Sequence, residues 1–297
     1  MRALVTGATG FVGRSLTAAL EGAGHTVAAG TRRPDAYRGP GQPVALDVAD
    51  AGSVAAALAG VDTAYYLVHS MESGDFARRD REAATTVARA AADAGVRVVY
   101  LGGMGDEAES ARRSAHLASR HEVGRILRDG ADTVELRAAM VVGAGSASFE
   151  ILRQLVDRLP AMVCPRWVTT ACQPIALDDV VAYLSAAPTL PAGAYDVGGA
   201  EVLTYERMLR RYAALTGRRR LILKVPVLSP RLSSRWIGLV TDQPPSVARP
   251  LADGLSVEVV VRDDRIRRLV PVEPMGFDEM VRRALAADGR PGRAVGG

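Results

Sequence analysis

The chain has 297 residues, 48% hydrophobic and 24% charged, which is long enough for one large domain, or a domain with a small lobe, around a sizeable core; a disordered tail and a small disulfide scaffold are excluded. The net charge is +4, but the basic residues, all arginine except Lys224, are spread among 33 acids with only 5% aromatic residues, a pattern that argues against a nucleic-acid partner. No charge-free run reaches the roughly 20 apolar residues of a membrane span, and Cys164, Cys172 and four scattered histidines give neither a disulfide framework nor a metal-ligand spacing.

The first apolar run, Ala3 to Thr6, is a strand candidate that glycines interrupt before a secretory h-region accumulates, so the protein is expected in the cytoplasm. Further strands are predicted at Thr26 to Ala29, Pro43 to Leu46, Ala64 to Val68, Val96 to Leu101 and Thr133 to Leu136. Between them, helical periodicity covers Val12 to Glu21, Ser53 to Ala59, Phe76 to Ala94 and Arg112 to Arg128, with Gly22, Gly95 and Gly130 as C-terminal stops. Strand and helix alternate as in a doubly wound α/β parallel sheet. After about residue 145 the alternation weakens into an apolar helix near Phe149 to Leu159, a Pro-flanked segment from Pro165 to Pro174, and a helix starting near Asp178. A short strand with a glycine turn, Tyr195 to Gly199, and a helix from Tyr205 to Leu215 follow. The expected organisation is a core over 1–145, a smaller C-terminal substrate-side lobe over 146–287 partly interleaved with it, and a frayed tail over 288–297.

The sharpest signal is Thr6-Gly7-Ala8-Thr9-Gly10-Phe11-Val12-Gly13, directly after the first strand and opening the first helix. Such a glycine turn lets backbone N–H groups approach a pyrophosphate, and the positive helix end favours the anion. Gly7 permits the tight turn, Gly10 the close approach and Gly13 the packing of helix on strand, the signature of a Rossmann-type dinucleotide site. About 20 residues on, where an acid would select NAD(H), the second strand ends in Gly30-Thr31-Arg32-Arg33-Pro34. Guanidinium groups pair with a 2′-phosphate, so NADP(H) is favoured over NAD(H), with Arg32 ahead of Arg33. Asp47 and Val48 after the third strand border the adenine, or Asp47 caps the next helix. Val68 and Gly102, at the ends of the fourth and fifth strands, complete the expected cofactor wall.

With TGATGFVG at the N-terminus and Arg32 after the second strand, residues 1 to about 215 resemble the short-chain dehydrogenase/reductase superfamily, more narrowly its atypical branch of NmrA-like and complex-I-accessory-subunit-like proteins. Arg137 to Gly143, Gln173 to Val180 and Tyr195 to Gly199 are similar to later segments of that branch, with Ala138 where proline is usual. The resemblance implies a Tyr-x-x-x-Lys helix and a hydroxyl at the end of the fifth strand. Here Lys224 is the sole lysine with Arg220 four positions before it, and the strand runs into Leu101-Gly102-Gly103-Met104-Gly105. The corresponding helix places His116 at the tyrosine position and Arg120 at the lysine position, while His121 and Arg125 repeat the spacing on another face.

Arginine holds ribose hydroxyls but is no general base, and a histidine beside a guanidinium is a handicapped acid. A ketone reduced in isolation develops an alkoxide that needs a positioned donor; hydride added to an enone or quinone leaves a delocalised enolate that water protonates later. His69 is the alternative donor, and Ser70, Met71, Met104, Met140, Trp167 and Trp236 are candidates for a substrate wall. The basic amphipathic stretch Pro230 to Leu239 is a docked helix, a pocket cover or a membrane-surface segment. The reading that follows is an NADP(H)-dependent oxidoreductase acting on an apolar conjugated carbonyl or quinone-like small molecule. A non-catalytic NADP(H)-binding regulator or assembly factor, and a redox-neutral isomerase or epimerase, are the alternatives, and oligomeric state is open.

Overall fold

Short apolar runs supply the strands β1 (Arg2–Thr6), β2 (Thr26–Thr31), β3 (Gln42–Ala45), β4 (Thr63–Tyr66), β5 (Arg97–Gly103) and β6 (Thr133–Ala138) of a computed structural model that describes residues 1–70, 75–225 and 240–289. Later strands are β7 (Val141–Val142), β8 (Ala161–Cys164), β9 (Ala171–Cys172), β10 (Ile175–Ala176), β11 (Gly193–Val197), β12 (Leu203–Thr204) and β13 (Leu221–Lys224). Seven of these pair in parallel in the order β11-β6-β5-β4-β1-β2-β3, so the chain returns late to complete the sheet it began. The rest form two-stranded pairs: β7 with β10, β8 with β13, and β9 with β12.

The helices are α1 (Phe11–Gly22), α2 (Ala51–Leu58), α3 (Phe76–Ala94), α4 (Glu107–Arg113), α5 (Ala115–Gly130), α6 (Ala147–Arg158), α7 (Leu177–Ala186), α8 (Tyr205–Leu215), α9 (Pro245–Gly254), α10 (Ile266–Leu269) and α11 (Phe277–Ala287). Leu16 and Leu20 of α1 join Val180 and Leu184 of α7 on one face of the sheet; Leu58 of α2, Val87 of α3 and Leu127 of α5 cover the other. Because both faces are covered, strands such as β5 are buried almost throughout and do not alternate. A third apolar cluster, with Phe149 of α6, Met208 of α8, Ala252 of α9 and Phe277 of α11, builds the region beside the strand ends. This is the expected doubly wound α/β fold, of Rossmann type.

Several local expectations are corrected. The helix predicted over Arg112 to Arg128 is two helices, because Ser114 closes α4 and its hydroxyl caps α5 by accepting from Leu117 N–H at 3.3 Å. Of the three glycine stops only Gly95 takes the left-handed conformation, at φ +65°. The turn after Gly22 uses Gly24, and Gly130 lies inside α5, where a Cβ would come 2.9 Å from that of Ala88. The Met71 and Trp236 expectations, the Pro230 to Leu239 stretch and the tail from residue 290 lie outside the described residues.

Beneath α5, Glu135 of β6 is fully buried, touching Arg128 Nη1 of α5 and lying 3.3 Å from Arg137 Nε. Arg137 continues to Glu107 of α4 at 3.4 Å. Room for the carboxylate comes from two glycines: a Cβ at Gly102 would sit 2.6 Å from Glu135 Oε1, and one at Gly124 would overlap the carboxylate. Gly124→Ala is expected to destabilise the fold by about 1–3 kcal/mol by overpacking, although alanine in an open helix gains about 1 kcal/mol over glycine; chemical denaturation measures it, and a neutral or stabilising result would show that the carboxylate moves freely.

Candidate functional site

Thr6 ends β1 with a hydroxyl that donates to the Tyr65 carbonyl at 3.1 Å and accepts from Leu67 N–H at 3.0 Å, fixing the gap between β1 and β4. The sheet's connections diverge at this gap, the place where open α/β sheets take ligands. Gly7 turns the chain at φ +69°, and Gly10 N–H donates back to its carbonyl at 2.9 Å. A Cβ on Gly13 would overlap the Gly7 carbonyl oxygen, so only glycine lets α1 start this close to the turn. The N-terminus of α1 has no side-chain cap and no acid in its first turn, leaving its N–H groups for an anion. These features fit the diphosphate of a dinucleotide: the cradle is one that an ordinary side chain would fill.

The turn opens into a cleft of about 1560 Å³. That exceeds the roughly 300–1,000 Å³ of a single small-molecule pocket, so the cleft has room for more than one small molecule. Gly7, Thr9, Gly10, Phe11 and Val12 line it, whereas Gly13 acts from behind by packing. Arg32, Arg33, Asp47 and Val48 line one arm. Arg32 and Arg33 are exposed, and their guanidinium groups make no ion pair among the described residues. Asp47 does not cap α2; its carboxylate accepts from Ala49 N–H at 3.0 Å within the preceding turn, and Asp50 caps the helix.

The other arm is lined by Val68, His69, Ser70, Gly102, Met104, His116 and Arg120. His116 faces the cleft and stands 6.5 Å from His69, ring centroid to centroid, edge to face. His121 is buried behind the helix, its Nε2 3.3 Å from Ser110 Oγ, so the His116 and Arg120 pair is the one that meets the cleft. Burial first, then the Arg120 guanidinium, lowers His69 to about 4; burial, Arg120 and His69 lower His116 to about 3. His69 is the more exposed of the two rings, so solvent in the open cleft offsets part of its desolvation. Both shifts favour the neutral ring at physiological pH.

Arg120 is fixed from three directions. Its Nη2 donates to the Leu101 carbonyl, its guanidinium lies 5.1 Å from the Tyr100 ring centroid, and Tyr100 OH donates to the Arg120 carbonyl at 3.1 Å. Buried Asp80 of α3 accepts from Ser70 N–H at 2.8 Å and from Ser119 Oγ at 3.5 Å, holding the loop after β4 against α5. Asp80 was readable in outline, since it occupies the apolar face of α3 with Ala84 and Val87; Tyr100 carried no signal within an ordinary strand.

Beyond Met140 the cleft is walled by Ile151, Leu152 and Leu155 of α6, Tyr205 and Leu209 of α8, and Leu251 and Leu255 on and beside α9. Trp167 joins them, its ring 5.9 Å from that of Tyr205 and near perpendicular. From Ala138 to Val259, no charged side chain lines the cleft among the described residues. Nor is there a group of metal-ligating side chains among them, or a helix long and apolar enough to cross a membrane. Both cysteines are free, with burial pushing each thiol up to about 11.

The chain is 30% identical over 234 residues, 77% of its length, to uncharacterized proteins of Mycobacterium tuberculosis (strain ATCC 25618 / H37Rv) and Mycobacterium bovis, and spans about a quarter of the length of these curated relatives. The fold is similar to a UDP-glucose 4-epimerase of Thermotoga maritima solved with UDP-glucose (TM-score 0.72, 14% identity, 97% of this chain and 99% of that one). It is also similar to a short-chain dehydrogenase/reductase superfamily protein of Agrobacterium tumefaciens with bound NAD (TM-score 0.72, 20% identity, 97% of each chain). The Bordetella bronchiseptica enzyme WbmG in complex with NAD matches at TM-score 0.71 and 18% identity over 96% of this chain and 93% of that one. Residues 3–150, which hold the glycine turn, both arms of the cleft and the first six strands, match the model of the NAD dependent epimerase/dehydratase family, and the fold is that of the short-chain dehydrogenase/reductase-like proteins.

Proposed function

We propose that the protein is an NADP(H)-dependent oxidoreductase of the atypical, NmrA-like short-chain type, acting on an apolar conjugated carbonyl or quinone-like small molecule. The observation that carries this reading is the continuity of one cleft from Arg32, which makes no ion pair among the described residues, past an uncapped, glycine-lined helix start, to a wall that carries no charge among them. A nicotinamide dinucleotide bound there supplies the hydride. The α1 N-terminus holds the diphosphate, Arg32 with Arg33 pairs the 2′-phosphate, and Asp47 and Val48 border the adenine. Arg120 faces the nicotinamide end.

Substrate lies against Met104, Met140 and Trp167, where apolar side chains exclude water. The neutral His116 ring, or that of His69, donates an N–H hydrogen bond to the carbonyl oxygen without giving up its proton. Hydride adds to the far carbon of the conjugated system, the π electrons move to oxygen, and water protonates the enolate afterwards. This order suits two imidazoles that cannot be imidazolium near neutral pH. A nucleotide-sugar substrate, as bound by the Thermotoga epimerase, would put a second diphosphate against a wall that offers no cation among the described residues.

Two measurements test the reading. Arg32→Ala is expected to weaken NADPH binding about 10- to 100-fold, the value of roughly 1.5–3 kcal/mol for hydrogen bonds to a charged group, while leaving NADH binding within about twofold; equal loss for both would deny Arg32 the 2′-phosphate. In NMR titrations, His69 and His116 are expected to hold constant ring shifts from pH 8 down to pH 5.5, because folded-state values of about 4 and 3 lie below that window. A titration of either ring near pH 6.5 would restore it as a conventional acid and remove the argument for a conjugated substrate.

A further inference from the structure

The nicotinamide end of the cleft holds a positive charge that is not neutralised within the cleft. If the adenosine half lies on the β2 side with Arg32, crossing the gap between β1 and β4 puts the other half over the ends of β4 and β5, where Arg120 stands. Arg120 makes no ion pair among the described residues; its hydrogen bond goes to the neutral Leu101 carbonyl and its planar face to Tyr100. Two carboxylates line the cleft among the described residues, and both are engaged elsewhere: Asp47 in the turn after β3, and Glu82 with Arg78 at 3.0 Å. Asp80 stands behind the wall and outside the cleft lining; its carboxylate is taken up by Ser70 N–H and Ser119 Oγ and makes no ion pair with Arg120, burial raising its pKa while Arg120 and these hydrogen bonds lower it. The two imidazoles add no negative charge, and both are shifted downward by the same guanidinium, so its field reaches the cleft.

The oxidised nicotinamide ring carries a positive charge and the reduced ring does not. From this we infer that Arg120 makes the cleft select the reduced dinucleotide over the oxidised one, so that the protein is built to take up NADPH, deliver hydride and release NADP⁺. The inference rests on the function proposed above and adds a direction to it. Arginine suits the task because it stays charged at all physiological pH values and its planar fork is fixed by the strand beneath it. No proton or further reductant is needed: bound NADPH would supply the hydride, and Arg120, held by the Leu101 carbonyl and the Tyr100 ring, would disfavour the cationic dinucleotide left behind.

The test is a pair of dissociation constants, measured by calorimetry for NADPH and NADP⁺ at constant salt on the full chain. Wild type is expected to bind NADPH about tenfold or more tighter, the size of a unit-charge repulsion across roughly 10 Å at an effective dielectric near 20. Arg120→Gln should bring the two within about threefold, mainly by tightening NADP⁺, whereas Arg120→Lys should keep the preference. Thermal melting checks that each variant folds, with Arg120→Met as the second neutral variant. Arg32→Ala should weaken both forms together and leave their ratio unchanged. Equal affinities in wild type, or a ratio unmoved in the folded neutral variants, would overturn the inference while leaving the dinucleotide site intact; failure of wild type to bind either form would overturn the proposed function and the inference with it.

Discussion

The site depends on one close approach: α1 begins against the Gly7 carbonyl at a distance that only a residue without a side chain allows. That contact aims the free N–H groups of the first turn into the gap that Thr6 holds open between β1 and β4. The rest of the cleft is arranged around it. The arm past β2 has arginines without acid partners, and the arm past β5 has an arginine bound to a carbonyl and an aromatic face. Under the proposed function, the first two of these places attract anions and the third repels a cation.

If His116 and Arg120 stand where the resemblance puts tyrosine and lysine, the kind of chemistry available changes. A lysine amine can lose its charge and a tyrosine can become a phenolate, so such a pair exchanges protons. The pair found here is locked, with one member permanently charged and the other held neutral by burial and by its neighbour. The reaction proposed above places its electrons where no protein proton is needed at once, which in that reading links the wall of Met104, Met140 and Trp167 to the absence of an acid rather than to size alone.

What the sequence disclosed followed from locality. TGATGFVG is contiguous, and its glycines are required by backbone geometry within eight residues, so the cradle and its place on β1 and α1 were legible. Arg32 was legible for the same reason, at a fixed offset from a strand. The apolar wall was not, because Leu155, Leu209 and Leu251 belong to three helices and each is indistinguishable from ordinary core. The break at Ser114 was hidden since one serine fits a helix interior as well as a cap, and the Glu135 pocket required knowing that β5 and α5 both present glycine to the same carboxylate. The choice between His116 and His121 needed the rotational phase of α5, which spacing alone does not give.

That phase is set by Ser114. With the serine as the fixed first cap, each residue of α5 advances about 100° around the axis, so His121 is turned about 140° from His116 and looks toward α4. Adding or deleting a single residue between the cap and His116 would rotate the imidazole out of the cleft while leaving composition, hydropathy and helix content almost unchanged. The joint between the two helices therefore works as an angular index: a hydroxyl outside the cleft lining decides which side chain meets the cleft.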